Sequence, residues 1–169
     1  MIRWLALFIF LFIIVAIGMA LPSSPLIPVV GADYDDWNAD SFWQYPWGSS
    51  ITHKGIDIFA DYGTSVIAST SGIVSYSGSL SKGGIVVTII GPKWRFYYYA
   101  HLRDKTVKSL SWVNRGDIIG YVGTSGNAIG KAPHLHYSIA SPLPCFSRWD
   151  NSIQGWKKMF YYDPNEELR

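Results

Sequence analysis

The chain contains four histidines, and two of them stand one residue apart in His134-Leu135-His136. In an extended strand, side chains two apart point to the same face, so both imidazoles can enter one cleft while Leu135 packs behind them. A helix would turn them apart. His53 opens the run His53-Lys54-Gly55-Ile56-Asp57, and its spacing of four brings His53 and Asp57 to one side of a strand. The alternation of Ile56 and Ile58 with polar neighbours favours that extended reading. Neutral imidazole and ionised carboxylate are both good zinc ligands, and three protein ligands with an open fourth position characterise a catalytic centre. Two histidines and one aspartate on Zn2+ leave a net positive centre, able to polarise a carbonyl and to lower the pKa of a bound water. The two remaining histidines are then suited to moving a proton near neutrality or to donating a hydrogen bond to a developing oxyanion. Spacing alone leaves open which member of the His134/His136 pair binds metal and which handles protons.

The elements that must hold these residues read as strands. Six short runs are rich in β-branched or aromatic residues and bounded by Gly or Ser: 64–70, 72–78, 83–91, 94–102, 116–123 and 134–140. The expected fold is a mostly β, antiparallel domain over residues 51–141. His101 ends the run Tyr97-Tyr98-Tyr99-Ala100-His101, where strict alternation puts Tyr97, Tyr99 and His101 on one face, with core packing the main work of the tyrosines.

Upstream, Arg3 precedes an uncharged run from Trp4 to Leu21, which as a helix reaches about 27 Å, close to the hydrocarbon thickness of a bilayer. Gly18-Met19-Ala20 offers small residues where a signal peptidase would cut, but the length of the run favours an uncleaved anchor. Asp33, Asp35, Asp36 and Asp40 follow the run, and no Lys or Arg appears before Lys54, so the positive-inside bias leaves the N-terminus cytoplasmic and the rest outside. Residues 1–21 are thus a membrane anchor or signal segment. Residues 22–50 read as an extracytoplasmic linker, a Pro/Ser tether followed by an acidic, aromatic stretch with a solvated face. Those aspartates lack the spacing of a calcium loop. Residues 142–169 form a C-terminal extension with one short helix expected around Ile153 to Phe160.

Composition narrows the classes. A chain of 169 residues supports one domain with a core, and a formal charge of +2 with scattered Lys and Arg gives no nucleic-acid footprint. Cys145 is the single cysteine, which excludes an internal disulfide and a Cys-rich zinc cluster.

Three segments, HKGIDIFADYGTSVIASTSGIVSYSG, YYYAHL and VNRGDIIGYVGTSGNAIGKAPHLHYSI, together resemble the M23 or lysostaphin/LytM-like family of zinc metallopeptidases that act on cell-wall peptidoglycan. The resemblance runs from about Thr52 to Ile139. It implies an antiparallel LytM/M23-type β domain behind the N-terminal transmembrane helix, with one Zn2+ per chain. By the same resemblance His53, Asp57 and His136 are the metal ligands, and His101 and His134 are the non-ligand pair at the reaction centre. The implied activity is a zinc-dependent endopeptidase hydrolysing peptide bonds in peptidoglycan stem peptides or cross-bridges. The competing class is a catalytically silent wall-binding or amidase-activating module, against which the intact ligand set argues. The implied location is the bacterial envelope, membrane-anchored with the domain outside the cytoplasm, or secreted if the segment is cleaved. The lead-in FWQYPWGSSITHKG departs from the family pattern, lacking its Phe-Gly-x-Arg element. The Gly-rich hairpin at 116–126 also resembles lipoyl- and biotinyl-carrier domains, but no lysine has the exposed hairpin setting those carriers need.

Overall fold

Each β-branched run becomes a strand, and glycines or short turns separate them. A computed structural model of the chain describes residues 2–168; Met1 and Arg169, the ends of the first and last segments read from the sequence, lie outside them. The strands are β1 (Ile56–Phe59), β2 (Ser65–Ile67), β3 (Gly72–Leu80), β4 (Gly84–Ile90), β5 (Phe96–Lys105), β6 (Trp112–Val113), β7 (Ile118–Val122), β8 (His134–Ala140) and β9 (Tyr161–Tyr162). Helices are α1 (Ile2–Ala20) and the single turn α2 (Pro164–Glu167). All described pairings are antiparallel, in the order β1-β8-β5-β4-β3-β6, with β9 beside β8. β5 is the axis of the sheet. Its first half pairs with β8, and its second half, beyond the point where β8 leaves, pairs with β7, which also carries β2.

One face of this sheet is the core. Ile56 and Ile58 of β1, Val87 and Ile89 of β4, Tyr97 and Tyr99 of β5, and Leu135, Tyr137 and Ile139 of β8 are all fully buried there, as period-two alternation dictates. Each contributes about 1.5–3 kcal/mol by leaving water. The buried tyrosines also need partners for their hydroxyls. Tyr137 Oη donates to Ser69 Oγ at 2.8 Å, Tyr99 Oη lies 2.7 Å from the same Oγ, and the Ser69 amide donates to Tyr99 Oη at 2.9 Å. The opposite face, carrying Tyr98 and His136, is open and becomes the floor of a cleft.

Residues 22–50, expected as a tether and a solvated linker, instead pack on the domain. Leu26 and Val30 donate their amides to the carbonyls of Ser69 and Ser65, and Ile67 returns a bond to Pro28, so the segment runs alongside β2. Val29, Trp37 and Trp43 are buried. The aromatics that looked decorative in a polar stretch are what hold it down, and the aspartates turn outward to cap short 3-10 turns, Asp33 accepting from the Asp35 amide at 2.9 Å. The C-terminal extension packs as well. Its expected helix forms as a 3-10 turn, Gly155–Phe160, and Tyr162 of β9 lies between the guanidinium groups of Arg95 and Arg148, each 3.6 Å from the ring. Arg95 also pairs with Glu167 at 2.6 Å.

α1 is uncharged from Trp4 to Ala20 and exposed over most of that stretch, long and apolar enough to cross a membrane. It touches the domain near its C-terminal end, where Trp94 Nε1 donates to the Val15 carbonyl at 3.1 Å and the indole packs against Gly18 so closely that a Cβ there would collide with it.

Candidate metal centre and catalytic cleft

Sheet register places the first two groups. β1 and β8 pair so that Asp57 faces His136 directly, one step from the Phe59 and His134 pair at the strand ends. Side chains of directly opposed residues lie side by side on one face, which puts the Asp57 carboxylate against the His136 ring. Asp57 Oδ1 lies 2.8 Å from His136 Nδ1. His53 arrives from outside the strand, three residues ahead of β1, and closes the group with Nε2 at 3.1 Å from Asp57 Oδ1 and 3.0 Å from His136 Nδ1.

The lead-in segment fixes the His53 ring. Its Nδ1 donates to the Ser41 carbonyl at 3.0 Å, Trp47 stacks on it with ring centroids 4.1 Å apart and planes at 20°, and backbone bonds from Trp43 and to Gln44 hold its main chain. Sequence reasoning did not find Ser41 and Trp47. The aromatic cluster immediately upstream of His53 was the available signal.

His101 reaches the cleft by an irregularity that alternation does not foresee. Between the Val87–Tyr99 and Ile85–Leu102 pairs, β5 carries an extra residue relative to β4. His101 adopts φ 64° in this bulge, a left-handed conformation uncommon for any residue with a Cβ. The extra residue reverses the alternation, so Tyr97 and Tyr99 stay in the core while His101 joins Tyr98 in the cleft. The expectation that His101 shares a face with Tyr97 and Tyr99 is therefore overturned, and Tyr98, with its ring edge-on to His136 at 6.2 Å, is the tyrosine that borders the site. Burial, then the neighbouring Tyr76, pushes the Tyr98 phenol up to about 12, so it remains a neutral hydroxyl. Ser125 repairs the ladder at the bulge. Its hydroxyl accepts from the Ile85 amide at 2.9 Å and donates to the Leu102 carbonyl at 2.7 Å, while its carbonyl accepts from His101 Nδ1 at 2.9 Å.

His134 completes the set. Its Nδ1 donates to the Ala132 carbonyl at 2.7 Å, and its Nε2 lies 4.0 Å from Asp57 Oδ2. The His101 and His134 rings stand edge to face at 5.1 Å. Three of the four imidazoles, His53, His101 and His134, thus spend the Nδ1 proton on a backbone carbonyl, so that in the neutral ring the lone pair is on Nε2. Burial, followed by the charges of His136 and His134, pulls the His101 pKa down to about 4, so at neutral pH it is an uncharged acceptor. Burial pushes the Asp57 carboxyl up, but the adjoining His136 and His53 rings outweigh it and hold the group well below the usual carboxylate range.

This donor set fits a divalent cation. His53 Nε2 is a lone pair and Asp57 is ionised, so two acceptors face each other beside His136 Nδ1 in a largely buried corner, an arrangement that a shared cation satisfies. The site opens on a cleft of about 1200 Å3. All five residues singled out in the sequence line it.

The antiparallel sheet thus brings two imidazoles and a carboxylate that could hold a metal ion to one point, beside a second imidazole pair in an open cleft. Comparison with known proteins agrees. The chain belongs to peptidase family M23, whose model matches residues 51–144, more than half of the sequence. It is similar to the L-Ala-D-Glu endopeptidase of Bacillus subtilis (strain 168), at 34% identity over 130 residues, 73% of this chain and 36% of that protein. It is similar also to the DD-carboxypeptidase/endopeptidase Mpg of Neisseria meningitidis serogroup B, at 33% over 112 residues, 59% of this chain and 25% of that one. This chain spans only a minor part of either relative's length. Among solved structures, the catalytic domain of the antimicrobial peptidase lysostaphin from Staphylococcus simulans matches with a TM-score of 0.59 and 30% identity, covering 76% of this chain and 88% of that one.

Proposed function

We propose that the chain is a zinc-dependent endopeptidase that hydrolyses peptide bonds in peptidoglycan stem peptides or cross-bridges. In this reading His53 Nε2, Asp57 and His136 Nδ1 hold one Zn2+, and His101 and His134 are the catalytic proton carriers. The observation that carries it is the convergence of those three donors within 3.1 Å of one another beside two further histidines whose Nδ1 atoms are held by backbone carbonyls. The endopeptidase relatives named above support the substrate class.

When bound, Zn2+ supplies Lewis acidity toward water and the scissile carbonyl. The protein does the rest. Ser41 and Trp47 orient His53, Asp57 supplies the compensating negative charge, and the carbonyls of Ser125 and Ala132 set the tautomers of His101 and His134. A neutral imidazole of this pair accepts the proton of the attacking water at Nε2, and the pair then returns a proton to the leaving amine or donates to the carbonyl oxygen as charge develops on it. α1 serves as an uncleaved anchor, which holds the domain outside the cytoplasm within reach of the wall.

The test uses the full chain in detergent with purified sacculi. Zinc-loaded protein is expected to release soluble fragments with new amino termini, visible by mass spectrometry; a chelator should abolish release and added zinc should restore it. Protein that holds one zinc per chain and releases nothing would refute the endopeptidase reading.

A further inference from the structure

Charge around the cleft is one-sided. Lys54, Lys82, Lys131 and Lys157 all line it, and among the described lining residues Asp57 is the one carboxylate. Asp57 is already engaged by His53 and His136. The four lysines come from four separate parts of the chain: the lead-in to β1, the β3–β4 turn, the loop before β8 and the C-terminal 3-10 turn. They therefore converge on the cleft from different elements rather than form a stripe on one. Among the described residues none of the four has a carboxylate within ion-pair distance, whereas Lys158, Arg95 and Arg103 do. What they touch is neutral. Lys54 Nζ donates to the carbonyls of Ser50 and Thr52, Lys82 Nζ to that of Ser49, and Lys157 Nζ lies 5.4 Å from the centre of the Trp156 ring.

Four unneutralised cations around a cleft attract anions and raise their local concentration, and like charges held together at some cost point to a partner of opposite sign. We infer that Lys54, Lys82, Lys131 and Lys157 form a carboxylate-reading collar that selects acidic peptides, those with free carboxylates flanking the scissile bond, over uncharged ones such as oligoglycine. The inference rests on the endopeptidase reading for what happens after binding, but the selection itself is a property of the collar. The substrate is thus a stem peptide with its carboxylates free.

Three probes test this on the full chain in detergent: L-Ala-γ-D-Glu-meso-diaminopimelate-D-Ala, the same tetrapeptide with its carboxylates amidated, and pentaglycine. Binding is read by calorimetry on chelator-treated protein, and cleavage by mass spectrometry on zinc-loaded protein. The acidic tetrapeptide is expected to bind roughly tenfold or more tightly than the other two, with an advantage that shrinks as salt rises. In Lys82→Gln, Lys131→Gln and Lys157→Gln each, that advantage should fall roughly two- to fivefold, carried in turnover by KM rather than kcat. These three positions are chosen because Lys54 adjoins His53. Equal binding of acidic and amidated peptides, or an advantage untouched by all three substitutions, overturns the collar. Preferential binding of the acidic peptide with no cleavage by zinc-loaded protein leaves the collar standing and sinks the endopeptidase reading. Cleavage of all three probes alike does the reverse.

Discussion

The His101 bulge places a strained backbone at a proposed proton carrier, and strain and chemistry can be separated with a pair of substitutions at this one residue. At φ 64° a residue with a Cβ sits in the left-handed region, at a cost of about 1–2 kcal/mol, whereas glycine occupies it freely but loses about 0.5–1 kcal/mol more chain entropy on folding. His101→Ala and His101→Gly remove the same imidazole and the same bond to Ser125, so their difference isolates the backbone. The glycine variant should be the more stable by about 0.5–1 kcal/mol, a rise in Tm over the alanine variant of roughly 1–4 °C for a domain of this size. Both should keep one zinc per chain, because His53, Asp57 and His136 are untouched, and both should lose turnover by about one hundred- to ten-thousand-fold, the usual worth of a positioned proton carrier. The measurements are thermal unfolding, metal content by atomic absorption and fragment release from sacculi. An alanine variant as stable as the glycine variant would show that the left-handed backbone carries no strain. Loss of zinc from either would make His101 a ligand, and retained turnover would remove it from the chemistry.

Two further substitutions probe the residues that position the site. Trp47→Ala removes the ring stacked on His53 and should weaken zinc binding about 10- to 100-fold, as loss of a supporting contact to a metal ligand typically does, while the fold survives; competition with a fluorescent chelator measures it. Ser125→Ala leaves the Ile85 amide and the Leu102 carbonyl without their shared hydroxyl, so it should cost about 1–3 kcal/mol in unfolding free energy and lower kcat with little change in zinc content; a variant with wild-type Tm and kcat would mean the bulge needs no such repair.

The regular part of the site was legible because register obeys a simple rule. Period-two alternation placed His134 and His136 together, and Asp57 met His136 because β1 and β8 pair antiparallel with those residues opposed. Which member of the His134/His136 pair would join the metal group came from the family resemblance, since spacing left it open. The same rule misled at His101. Nothing in Tyr97-Tyr98-Tyr99-Ala100-His101 announces an inserted residue, because the bulge depends on Ser125, more than twenty positions downstream, to satisfy the groups it frees from the ladder. Residues 22–50 were misread for a related reason. A segment with four aspartates looks solvated when averaged, but its energetics lie in Val29, Trp37 and Trp43, which face the domain while the carboxylates face out.

The four cleft lysines extend that contrast from structure to specificity. The proposed catalytic residues are brought together by two paired strands and one bulge, so they leave a compact trace in the sequence. Recognition rests on side chains from turns and termini that meet only in three dimensions, and a net charge of +2 gives no hint that so much positive charge is gathered at one mouth. Strands fix the reacting groups because a misplacement of an ångström destroys their geometry. Charge acts over several ångströms and tolerates looser supports, which is why loops suffice to hold the lysines. A family built this way can keep its centre constant while substitutions in the turns retune which peptide it accepts, and in this chain the turns favour anions.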